Sequence, residues 1–159
     1  MCFVLYVGTT EPLPRRKVDK DSLDLSVESL TDRDAAIKRY FSKPEVQYVG
    51  STSCCGCDFP HATLQIGRWP EIEYHVEDAE KDELDNAREV SDRQNCKALV
   101  ALLRTTGDEM VELYGVWDGD FAKAPQAQED ISINGLLDRN FRFKEQGFYK
   151  VYLERETGV

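Results

Sequence analysis

One long helical stripe, from Asp78 to Arg104, stands in a chain otherwise written in short strand-like runs. Leu84, Ala87, Arg88, Ser91, Cys96, Ala98, Leu99 and Leu102 recur at helical spacing, thinly at first and densely apolar at the end. Acids crowd the first half, where the positive end of the helix dipole favours them. Gly107 stands where a left-handed residue would close the helix. The spacing predicts a helix over about 78–105, lying on a sheet through Ala98–Leu103 with its N-terminal half solvated. A second, short helix is expected over about 32–42. Thr31-Asp32-Arg33-Asp34 can form a capping box, Ala36, Ile37, Tyr40 and Phe41 share one face, and Pro44 disfavours helical geometry at Lys43.

The remaining signals are strands. Residues 2–7 are β-branched and aromatic, 23–30 alternate with period two, and 46–50, 110–117 and 148–153 are strongly β-forming. Weaker strand signals lie at 62–66, 71–77 and 131–133. The sequence places loops at 11–20, 51–60 and 122–130, turns at 67–70 and at Asp118-Gly119-Asp120, and a helical turn at 136–140. Strands outnumber helices and run in groups. That pattern predicts an α+β fold with a mainly antiparallel sheet, packed by one long helix and one short one. The 159 residues carry no repeat and no linker-like break, and are expected to form a single domain, 1–159.

Charge narrows the function. Thirty acids against 20 bases give a net charge of −10. Nucleic-acid binding needs a basic footprint that displaces counterions, and Arg15-Arg16-Lys17 is the only tight basic run, so no nucleic-acid partner is expected. No stretch approaches the ~20 apolar residues of a membrane span, and the first residues lack a basic, signal-like start. The expectation is a cytoplasmic protein with no membrane partner. Its five cysteines, at 2, 54, 55, 57 and 96, are then thiols or metal ligands rather than a disulfide framework.

Ser53-Cys54-Cys55-Gly56-Cys57-Asp58-Phe59-Pro60-His61 is the constellation that stands out. Four readings compete. Cys54, Cys55, Cys57 and His61 carry the donor atoms of a zinc site, although the spacing lacks a second ligand cluster, which Cys2, His75 or Cys96 would have to supply. Cys54 and Cys57 form a C-x-x-C, but Asp58 and Pro60 make a poor helix start and Asp58 opposes thiolate formation. A nucleophilic cysteine could pair with His61 or His75. The plainest reading is small buried hydrophobes lining a loop. These choices set a binding or interaction domain against a thiol- or metal-dependent enzyme.

Cys2, directly after Met1, resembles the N-terminal nucleophile of amidotransferases, where removal of the first Met frees an amine beside the thiol. The resemblance covers two residues, and Phe3 stands where that motif has glycine. Cys2 otherwise reads as part of a buried first strand. Asp118-Gly119-Asp120 lacks the further oxygens of a calcium loop and reads as a hairpin turn. The acids between Glu71 and Asp92 read as a solvated face, Trp69 and Trp117 as core or rim, and Cys96 as core. Phosphate-loop, H-E-x-x-H and G-x-S-x-G patterns do not occur.

Overall fold

The computed structural model describes residues 2–19, 21–22, 24–52, 55–64, 74–75 and 83–154. Every residue of β1 (Phe3–Thr9) is buried. That explains its unbroken apolar run, since both faces of this strand are covered. It pairs antiparallel with β3 (Glu45–Gly50) on one side and β6 (Met110–Trp117) on the other. With β2 (Ser26–Ser29), β7 (Ala127–Ser132) and β9 (Gly147–Tyr152), they build a six-stranded sheet in the order β2-β3-β1-β6-β9-β7. Among the described residues, the β7–β9 pair is the parallel one in this sheet. Three short strands, β4 (His61–Leu64), β5 (Tyr74–His75) and β8 (Phe143–Lys144), form a small second sheet. The fold is α+β with a mostly antiparallel sheet.

The long helix, α1 (Glu83–Leu103), covers one face of the large sheet. Its Leu99, Val100 and Leu103 pack with Phe3, Leu5, Val7, Val111, Leu113 and Val151. Leu99 and Leu103 are fully buried, and each such side chain contributes about 1.5–3 kcal/mol. Val90, at the N-terminal end of the helix's described side chains, is 56% exposed. Residues 78–82 of the expected helix lie outside the described residues. Gly107 does not take a left-handed conformation. The last turn is closed instead by Thr105 and Thr106, whose hydroxyls donate to the Leu102 and Leu103 carbonyls at 2.6 and 2.8 Å.

The other face buries Val4, Tyr6, Val46, Tyr114, Val116 and Phe148. A two-turn cover suffices there. The helix expected over 32–42 is a tight 3-10 helix, Ala35–Tyr40, whose Ile37 is fully buried. Asp34 does reach back to Thr31, accepting from its backbone N–H at 2.7 Å. That contact closes the turn before the helix, so the helix starts later than the capping box suggests.

Other expectations are corrected at the sheet edges. Residues 127–130, read as loop, are β7; its polar Gln128, Glu129 and Asp130 suit an edge strand with an exposed face. β8 went unseen because two residues carry no period. The strand signal at 23–30 shrinks to Ser26–Ser29, and the helical turn expected at 136–140 is a 3-10 turn that begins earlier, over Ile133–Leu137. Of the 71–77 strand, only Tyr74–His75 is described, and the 67–70 turn lies outside the described residues. Asp118-Gly119-Asp120 is a turn, with Gly119 at φ 101°, but not a hairpin. The chain leaves β6 and returns as β7 beside β9. Asp118 and Asp120 are engaged by Arg33 and Lys123 at 2.8 and 3.0 Å. Among the described residues, no helix is long and apolar enough to cross a membrane.

Candidate metal centre

The site is assembled where the loop after β3 meets the start of β1. Ser51 donates its N–H to the Cys55 carbonyl at 3.0 Å, turning the loop back. A 3-10 turn, Gly56–Asp58, follows and lies against β1. A Cβ on Gly56 would sit 2.7 Å from the Phe3 carbonyl oxygen, so only glycine permits this approach. Next to it, the Phe3 N–H donates to the Cys57 sulfur at 3.3 Å. Cys2 is held in turn just past the end of β6, its carbonyl accepting from the Asp118 N–H at 2.7 Å.

A second tie comes from the helix. Buried Asn95 accepts from the Thr52 N–H at 2.9 Å and donates to the Ser91 carbonyl at 2.8 Å. The loop is therefore pinned to the strand through Gly56 and Cys57 and to α1 through Asn95.

The consequence is a cluster of three thiols. The sulfurs of Cys2, Cys55 and Cys57 all lie within 4.8 Å of one another, each half-buried. Burial pushes the Cys57 thiol up to about 12, opposed by the Phe3 N–H and reinforced by the neighbouring Cys55 and Cys2. The Cys2 thiol is raised mainly by its contact with Cys55. Without a metal these two are protonated at neutral pH, which disfavours nucleophilic chemistry at either sulfur.

Of the residues singled out by the sequence, Cys55 and Cys57 fall in the cluster. Cys54 lies outside the described residues, so the C-x-x-C pair with Cys57 does too. His61 is not part of the thiol cluster. It begins β4, its Nδ1 is 2.8 Å from the Phe59 carbonyl, and its ring stacks on Phe3 at 4.8 Å with Trp117 edge-on at 5.9 Å. The imidazole is thus packed beside the cluster's base. Asp58 accepts from the Ser51 hydroxyl at 2.9 Å, and it is not among the causes that raise the Cys57 thiol. Cys96 is buried on α1 and outside the cluster. Cys2 completes the three sulfurs. The sequence offers it only as one of three distant alternatives, because nothing in the spacing reveals that β1 runs beside this loop.

Two sulfurs sharing a tetrahedral zinc are about 3.8 Å apart, given Zn–S bonds near 2.3 Å. Closing from 4.8 Å asks for small side-chain rotations. Three thiolates form a soft donor set, suited to zinc or copper(I) and poorly suited to magnesium or calcium. No protein-family model, curated protein or solved structure matches the chain.

Proposed function

We propose that the protein is a metal-binding α+β domain in which Cys2, Cys55 and Cys57 hold one thiophilic ion, with zinc the foremost candidate. The observation that carries this is the convergence of three sulfurs from two segments more than fifty residues apart, within 4.8 Å. Buried thiols that merely fill space need no such convergence. A bound cation inverts their acidity, because metal coordination deprotonates a thiol outright. The metal would then clip the start of β1 to the loop after β3, and its binding energy becomes folding energy. An ion held by three protein sulfurs retains a coordination position for solvent or a small ligand, which is the arrangement of reactive zinc sites. A thiol-rich, metal-loaded site also fits a reducing compartment such as the cytoplasm.

The test is metal analysis of untagged protein, with cobalt(II) substitution as reporter. About one zinc per chain and an intense sulfur-to-cobalt charge-transfer band, both lost in Cys2→Ser and Cys57→Ser, are the expected results. Protein that holds no zinc and gives no such band with cobalt ends the metal reading. The domain would then be an interaction module whose cysteines only pack.

A further inference from the structure

We propose a second site against α1: a small cavity at Cys96 that binds a single-ring organic carboxylate. The cavity lies between α1, the Ile133–Leu137 turn and the loop at 138–142, and has a volume of about 150 Å³. Space of that size accommodates a benzene-sized body. Its apolar lining comes from Pro60, Cys96, Leu136 and Phe141.

The charge around it runs against the rest of the chain. Arg93, Lys97, Arg139 and Arg142 line the cavity against Glu89, Asp92 and Asp138, whereas the whole chain has 20 bases to 30 acids. The acids are also partly committed. Glu89 bridges Arg93 at 2.6 Å and Arg139 at 3.3 Å, joining helix to loop, and Asp138 accepts from the Asn140 N–H at 2.8 Å. Arg142 is the held cation. One of its terminal nitrogens donates to the Phe141 and Arg139 carbonyls at 2.8 and 3.2 Å, which fixes the guanidinium plane. Its charge reaches the floor, where it is the one influence lowering a Cys96 thiol that burial and Asp92 raise. A pre-set guanidinium over an apolar pocket recognises a planar carboxylate attached to a compact apolar body. The Arg139–Glu89 pair shows that the mouth already tolerates a carboxylate between guanidinium groups.

The experiment titrates the full protein with benzoate, its neutral analogue benzamide, and inorganic phosphate, followed by amide NMR shifts. Saturable shifts for benzoate around Cys96 and Phe141 are expected, with benzamide and phosphate each at least ~10-fold weaker, since a charge-assisted bond is worth about 1.5–3 kcal/mol. Arg142→Met should lose about 10–100-fold of that affinity, and Arg142→Lys part of it, because lysine keeps the charge but not the fork. A thermal melt on each variant separates lost binding from lost folding. Equal binding of benzamide, equal binding of phosphate, unchanged affinity in a folded Arg142→Met, or no saturable shift would each overturn the proposal.

Discussion

Cys57 and Cys96 are chemically the same group under the same stress, and the protein surrounds them differently. Burial drives both thiols up to about 12. Cys96 has Asp92 and Arg142 as its charged neighbours and belongs to no three-ligand cluster among the described residues. Cys57 has two further sulfurs within 4.8 Å and a backbone N–H aimed at it. Burial alone makes a thiol a quiet hydrophobe. Convergence of several thiols leaves a local need that a cation satisfies. The difference between a packing cysteine and a ligand is therefore in its neighbours, not in its exposure.

That contrast is most severely tested by pH. A metal must displace the protons of the Cys2 and Cys57 thiols, both of which are raised. With at least two protons released per ion, apparent affinity should climb by roughly 10⁴ between pH 6 and pH 8. Competition against a chelator of known pH dependence measures this, and a flat profile would show that the thiols are not the ligands. The next largest effect is the split between variants. Cys57→Ala should weaken zinc by about 10²–10³, taking each ligand as a quarter of the roughly 10–16 kcal/mol of a structural site. Cys96→Ala should leave zinc affinity unchanged. Equal losses in the two variants would erase the distinction drawn between them.

Alkaline stability sharpens it from the other side. A thiol with a raised folded-state value keeps its proton when the unfolded chain has lost it. The unfolded state then binds fewer protons, and stability falls as pH rises. For Cys96 the window runs from about 9, the ordinary thiol value, toward about 12. Between pH 9 and 11 the loss is on the order of 2–3 kcal/mol. Cys96→Ala should remove it, and metal should not. The corresponding loss from Cys57 is smaller, because the cluster is more open to solvent, and metal loading should abolish it. Urea titrations at several pH values, with and without zinc, resolve the two contributions.

The sequence made the sheet legible through its apolar runs and the helix through its period. It also made Cys55 and Cys57 legible, through their density beside Gly56. What it could not show were facts of topology. β7 is polar because it is an edge, and polarity reads as loop when the neighbour is unknown. Cys2 belongs to the cluster because β1 lies between β3 and β6, a placement no local pattern encodes. His61 carries a suitable donor atom, yet the fold stacks its ring on Phe3, outside the thiol cluster. Gly56 makes room for the Phe3 carbonyl, a role that depends on a strand more than fifty residues away.

The smallest effect tests whether the two cysteine environments communicate. Asn95 precedes Cys96 on α1 and holds Thr52 of the thiol-bearing loop, so it joins the regions mechanically. In Asn95→Ala the Thr52 N–H loses its partner and the helix loses a bond to the Ser91 carbonyl. The cost should be about 1–2 kcal/mol, typical of a buried polar group left unmade. Zinc affinity should fall only a few-fold, because Gly56 and the Phe3 N–H still seat the turn against β1. Addition of zinc should then restore part of the lost stability, since binding to the folded state alone shifts the equilibrium by mass action. Calorimetric melts of the variant with and without zinc read both quantities. A loss of zinc as large as that in Cys57→Ala would mean that the helix, rather than the strand, positions the sulfurs.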